Sequence, residues 1–81
     1  MKRIVRTEPA KADVRRLDKP VAMRIFSALH RFAESGQGEV KALEQREELR
    51  LRIGDYRLFF VCPGPDTMEI RRVLHRSEAY R

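Results

Sequence analysis

Leu49, Leu51 and Ile53 alternate with Arg50 and Arg52, and no other stretch of the 81 residues narrows the choice of structure as much. A period of two sends successive side chains to opposite faces of a strand, so this segment has one apolar face and one cationic face. A slip of one residue would bury two arginines, so the leucine side must be the one turned to a core. Gly54-Asp55 follows as a tight turn, and Tyr56 to Cys62 as the next strand. Pro63-Gly64-Pro65-Asp66 is a second turn, after which Thr67 to Leu74 reads as a strand with Met68 and Ile70 inward. These three strands predict one antiparallel sheet, and His75 to Arg81 reads as a polar tail.

The first half has a different period. Lys2 to Arg6, with Ile4 and Val5, fits a short strand. Thr7-Glu8-Pro9 is a helix start, a capping hydroxyl followed by an acid and a proline in the first turn. Ala10, Val14 and Leu17 then fall on one helical face. Asp18-Lys19-Pro20 repeats the start signal for a second helix, with Val21, Ile25, Leu29 and Phe32 as its apolar stripe and Ala22, Phe26 and Ala28 flanking it. Ser35-Gly36-Gln37-Gly38 ends that helix, because glycine accepts the left-handed closing conformation. The expected fold is α+β in the order β-α-α-β-β-β, a helical hairpin packed on an antiparallel sheet, with residues 1–81 as a single domain.

A chain this short buries roughly 60–65% of its unfolded surface, so its core is thin. Its longest apolar run, Leu58 to Cys62, is far short of the ~20 residues that span a bilayer. The basic start at Met1-Lys2-Arg3 is followed by no apolar stretch, so no signal peptide is expected. The lone cysteine, Cys62, cannot form an internal disulfide and reads as a small strand filler. A cytoplasmic location without membrane association is the expectation. Eighteen basic residues against twelve acidic give a net charge of +6, and fourteen of the eighteen are arginine. Arginine's planar fork matches phosphate and stacks on bases, which points to a polyanionic partner, most plainly nucleic acid. The competing interpretation is a merely solvated arginine-rich surface.

The familiar catalytic patterns are missing. His30 and His75 have no spaced ligand partners, so neither metal nor cofactor is expected. Gly36-Gln37-Gly38 follows a helix and precedes none, unlike a phosphate-cradling loop. Neither a nucleophile elbow nor a carboxylate pair occurs. Tyr56, Phe59 and Phe60 are expected in the core, and Glu44, Glu47 and Glu48 on an ordinary mixed-charge surface. What remains is concentrated in the second half: Arg50, Arg52, Arg57, Arg71, Arg72, His75, Arg76, Tyr80 and Arg81. A cationic sheet face can hold an RNA backbone and stabilise the charge that builds when a 2′-hydroxyl attacks its own phosphodiester.

The segment from Leu49 to Leu58, containing Gly54-Asp55-Tyr56-Arg57, resembles the RelE/ParE family of bacterial type II toxins. Val40-Lys41-Ala42-Leu43 before it, His75-Arg76-Ser77-Glu78-Ala79-Tyr80 after it, and the helical look of Val14 to Pro20 extend the resemblance over nearly the whole chain. RelE-like members cleave mRNA on the ribosome, ParE-like members poison DNA gyrase, and a co-expressed antitoxin neutralises either.

The RelE-like resemblance implies a metal-independent endoribonuclease that acts on ribosome-bound mRNA. It implies Arg57 as the arginine on the scissile phosphate, and Arg50 as a backbone contact or helper in activating the 2′-hydroxyl. Tyr80 matches a C-terminal tyrosine that stacks on or orients the substrate base, and Arg76 sits in the adjoining basic segment. His75, placed like the terminal histidine of some relatives, is either an acid for the leaving 5′-oxygen or a surface histidine. Lys41, Arg52, Arg72 and Arg81 complete the expected RNA-binding set. The position of RelE's second arginine is Leu74 here, and the carboxylate base of some relatives falls near Lys41. Expected partners are a cognate antitoxin, with a toxin–antitoxin hetero-oligomer as the implied assembly, and mRNA on the ribosome. The alternatives are a gyrase inhibitor and a degenerate toxin that only binds its antitoxin.

Overall fold

The computed structural model describes residues 3–42 and 47–79. In chain order the elements are β1 (Arg3–Arg6), α1 (Glu8–Arg15), α2 (Lys19–Ser35), β2 (Glu39–Ala42), β3 (Leu49–Ile53), β4 (Tyr56–Gly64), β5 (Thr67–His75) and α3 (Arg76–Ala79). The sheet has the order β1-β5-β4-β3-β2. β2 to β5 form an antiparallel meander, and β1 returns parallel to β5 at the edge.

Three expectations are corrected. The sheet has five strands rather than four, because Glu39–Ala42 pairs with β3. All four of its residues are exposed, so no burial pattern marks it as a strand. The sheet is mixed rather than purely antiparallel, because two helices carry the chain back from β1 to the far edge. The presumed tail begins as the last residue of β5 and continues as the short helix α3. Tyr80 and Arg81 lie outside the described residues.

The helix starts follow their local chemistry. Thr7 accepts a hydrogen bond from the Ala10 backbone N–H at 3.3 Å, capping α1. Its own N–H donates to the Ile70 carbonyl at 3.0 Å, so one residue ends the β1 ladder and opens the helix. Asp18 occupies the corresponding place before α2, but its side chain makes no capping bond. α2 closes at Gly36, whose φ of +78° is the left-handed conformation expected there.

Both helices pack on one face of the sheet. Ala10, Ile25 and Leu29 meet Leu51, Ile53, Leu58, Phe60, Met68, Ile70 and Val73 in a continuous core, with Val14, Leu17, Val21, Phe32 and Leu49 packed around it. The Phe32 and Phe60 rings meet edge-on with centroids 5.6 Å apart. The alternation of β3 therefore holds as expected: its leucines and isoleucine face the helices. Each fully buried side chain of this size contributes roughly 1.5–3 kcal/mol, so the thin core is held by few contacts.

A cationic cleft on the open face of the sheet

The same alternation that buries Leu51, Ile53, Leu58 and Phe60 turns Arg50, Arg52, Arg57 and Phe59 to the other face. Register then sets two rows across the strands. One runs Lys41, Arg50, Phe59, Arg72 and the other Glu39, Arg52, Arg57, Leu74. Where β2, β3 and β4 meet, Glu39, Val40, Lys41, Arg50, Arg52 and Arg57 line a cleft of about 310 Å³. Among the described residues, four cations face one carboxylate there. Lys41 lies directly opposite Arg50, and Arg52 opposite Arg57. Like charges directly opposite one another destabilise a sheet, and an anion bound between them offsets that cost.

Arg57 is the most buried of the four. It is only 6% exposed, and its Nη1 donates to the carbonyls of Gly54 and Tyr56 at 3.0 and 2.9 Å. The β3–β4 turn thus fixes the guanidinium it precedes. Gly54 adopts φ +56°, a conformation open to glycine at little cost, and presents its carbonyl to Arg57. The Asp55 carbonyl accepts the Arg76 backbone N–H at 2.7 Å, so the turn also anchors the start of α3. Arg52 reaches Glu39 at 3.6 Å, an exposed pair of small energetic weight.

The structure groups Lys41, Arg50, Arg52 and Arg57, and it separates others of the expected site residues from them. His75 pairs in register with Tyr56, one residue out of phase with Arg57, and so lies on the helix side of the sheet. Its ring packs edge-on against Tyr56 at 5.3 Å, and its Nδ1 accepts the Ser77 backbone N–H at 3.2 Å. His75 therefore braces the start of α3, away from the cationic cleft. Arg76 is exposed on that helix, while Tyr80 and Arg81 fall outside the described residues.

Arg72 belongs to the outer row, but its guanidinium turns to the sheet edge. Nε and Nη2 donate to Asp13 Oδ2 and Oδ1 at 2.7 and 3.1 Å. Asp13 also accepts the Val73 N–H at 2.9 Å, completing β5 where β1 has ended, and takes Arg16 at 3.0 Å. Burial works to raise the Asp13 pKa, yet the bonds from Arg72 and Val73, the Arg72 charge and Arg16 together hold it below the ordinary carboxylate value. Its hydrogen bond to Asp13 raises the Arg72 pKa in turn. Arg72 is thus first a structural residue.

Phe59, Glu39 and Asp13 carry roles that inspection of the sequence missed. Phe59 is half-buried on the open face, whereas an aromatic within an apolar run was expected in the core. Its parity with Arg57 was the available signal. Glu39 gains its place only through a strand that the sequence does not announce. Asp13 sits one position from the predicted apolar face of α1, and its edge-capping role depends on residues about sixty positions away.

A family model described as the ParE toxin of the type II toxin–antitoxin system parDE matches residues 4–80. The chain belongs to this toxin family. Among solved structures, the toxin resembles the RelB–RelE antitoxin–toxin complex of Methanococcus jannaschii at 22% identity, TM-score 0.75 and 94% coverage of both chains. The isolated E. coli RelE toxin matches at 19% identity and TM-score 0.77, covering 99% of this chain and 96% of that one. E. coli YafQ matches over the full length of both chains with TM-score 0.76 at 9% identity. At these identities the likeness establishes the fold. No curated protein sequence matches the toxin. Among the described residues, no helix is long and apolar enough to cross a membrane.

Proposed function

We propose that this toxin is a ribosome-dependent mRNA endoribonuclease whose working surface is the cleft formed by Lys41, Arg50, Arg52 and Arg57. The observation that carries this reading is the pairing of like charges directly opposite one another, Lys41 with Arg50 and Arg52 with Arg57. Cations gathered in this way on one open face favour an anionic ligand, and an RNA phosphodiester is such a ligand.

The chemistry is an in-line transesterification. The 2′-oxygen bonds to phosphorus as the bond to the 5′-oxygen breaks, leaving a 2′,3′-cyclic phosphate and a 5′-hydroxyl. Arg57, fixed by two carbonyls, stabilises the charge that develops on the phosphate oxygens, with Arg50 and Arg52 beside it. The 2′-hydroxyl proton passes to Glu39, the one carboxylate lining the cleft among the described residues. The departing oxygen takes a proton from Lys41, since arginine does not give one up in proteins. Arg76, exposed on α3, helps to hold the message, Tyr80 is the residue that orients a base, and His75 supports the start of α3. In this reading the ribosome aligns the message in the cleft and supplies the positioning that free RNA lacks. A cognate antitoxin restrains the toxin in the cytoplasm by covering its basic surface.

Induction in cells, with separate readouts of message integrity and DNA breakage, tests the proposal. Messages cut within codons with intact DNA are expected. Intact messages with damaged DNA would assign the toxin to gyrase instead.

A further inference from the structure

Phe59 stands in the middle of the open face and has no part in the reaction above. It lies in register between Arg50 on β3 and Arg72 on β5, so an arginine-bearing position flanks it on each side. The core does not require its ring: Leu58 and Phe60 face the helices, and the apolar cluster is complete without it. A half-buried phenyl on a polar, solvated face leaves ring surface against water, a place where a small or polar residue would serve the fold equally well. Along β4, Phe59 is two residues beyond Arg57 on the same face, roughly 7 Å away by strand geometry. The reach from a phosphate to its own base is of the same order.

A β-bulge follows at once, because β4 pairing shifts between Phe59 and Phe60 and leaves Arg71 out of the ladder. Bulges re-aim side chains next to functional sites, and this one lies on β5 beside the row that holds Phe59, while β4 stays paired at Phe60 and Val61.

We propose that Phe59 is a stacking platform for one base of single-stranded RNA, that of the nucleotide whose phosphate sits at Arg57. The inference rests on the reading of the cleft as RNA-binding and adds the residue that holds the base. Every base has a π-face, so the platform accepts all four, with purines held more tightly through their larger overlap. Arg50 beside it on β3 draws the backbone to the same place. Phe59 is thus a base contact distinct from the phosphate clamp.

The chain contains no tryptophan, so Phe59→Trp installs a sole indole at the proposed platform. The purified variant is titrated with a tetraribonucleotide and with the same backbone carrying abasic sites. Quenching by the base-bearing oligomer and none by the abasic one is the expected result. Phe59→Leu, which keeps apolar volume but removes the ring, weakens oligomer binding about tenfold, the order of one lost stack. Phe59→Tyr keeps wild-type affinity, and circular dichroism confirms that each variant is folded. Equal quenching by both oligomers, or wild-type affinity in a folded Phe59→Leu protein, overturns the platform while Arg57-dependent RNA binding survives. If the wild-type protein binds no RNA through Arg57, the cleft reading itself fails and the platform falls with it.

Discussion

Asp13 is 3% exposed and holds Arg72, Arg16 and the Val73 N–H at once. Replacing it with alanine leaves a strand N–H without its acceptor and two guanidinium groups without their counter-charge. Asp13→Ala should therefore cost about 2–3 kcal/mol, read from the urea midpoint. The sign of the pH dependence follows from the lowered pKa. Stability from this carboxylate is complete above its ordinary value of 3.8 and is lost as pH falls through the depressed native value. Asp13→Asn should lower stability near neutrality and flatten the acid limb of the curve; an unchanged acid limb would show that other carboxylates control it. Nothing in the sequence around Asp13 distinguishes it from the exposed acids. Arg57 is different, because its local motif made it a candidate, and the structure adds the two carbonyls that hold it.

The β3–β4 hairpin ties structure to site. The faces of β3 could be assigned from sequence, since misplacing them would bury charge, and Gly54-Asp55 could be read as the turn; on β4, Phe59 was expected in the core and lies on the open face. β2 could not, because Glu39–Ala42 has no buried side to betray a strand. Nor could the helix-facing position of His75 be found without the register that pairs it with Tyr56. A Cβ at Gly54 meets nothing within 4 Å, so Gly54→Ala isolates the cost of its positive φ. About 1 kcal/mol of lost stability is expected from denaturant titration. Cleavage should fall by more than that stability loss explains at temperatures where the protein stays folded, because the carbonyl holding Arg57 is displaced. Wild-type cleavage in a folded Gly54→Ala toxin would show that the turn does not position the guanidinium.

The +6 chain presents its helices on one side of a five-stranded sheet and a cationic cleft on the other. Composition alone suggested an anionic partner; only the register shows where the charge gathers, and it shows that Arg72 and His75 serve the fold elsewhere. Neutralising three to four phosphates should give a log–log salt slope of about −2 to −3 for single-stranded RNA binding, with Lys41→Ala making it shallower by about 0.7. A slope near zero would place binding outside the cleft. The most direct test is single-turnover cleavage of a defined message on purified ribosomes, comparing wild type with Arg57→Ala and Glu39→Gln. Arg57→Ala should reduce the rate ~10²–10³-fold, by loss of one transition-state donor. Glu39→Gln should slow it by at least ~10²-fold, as expected for a missing proton acceptor. The wild-type products should carry a 2′,3′-cyclic phosphate and a 5′-hydroxyl, whereas undiminished cleavage by Arg57→Ala, or no cleavage by the wild-type toxin, would contradict the assignment of this cleft as a ribonuclease site.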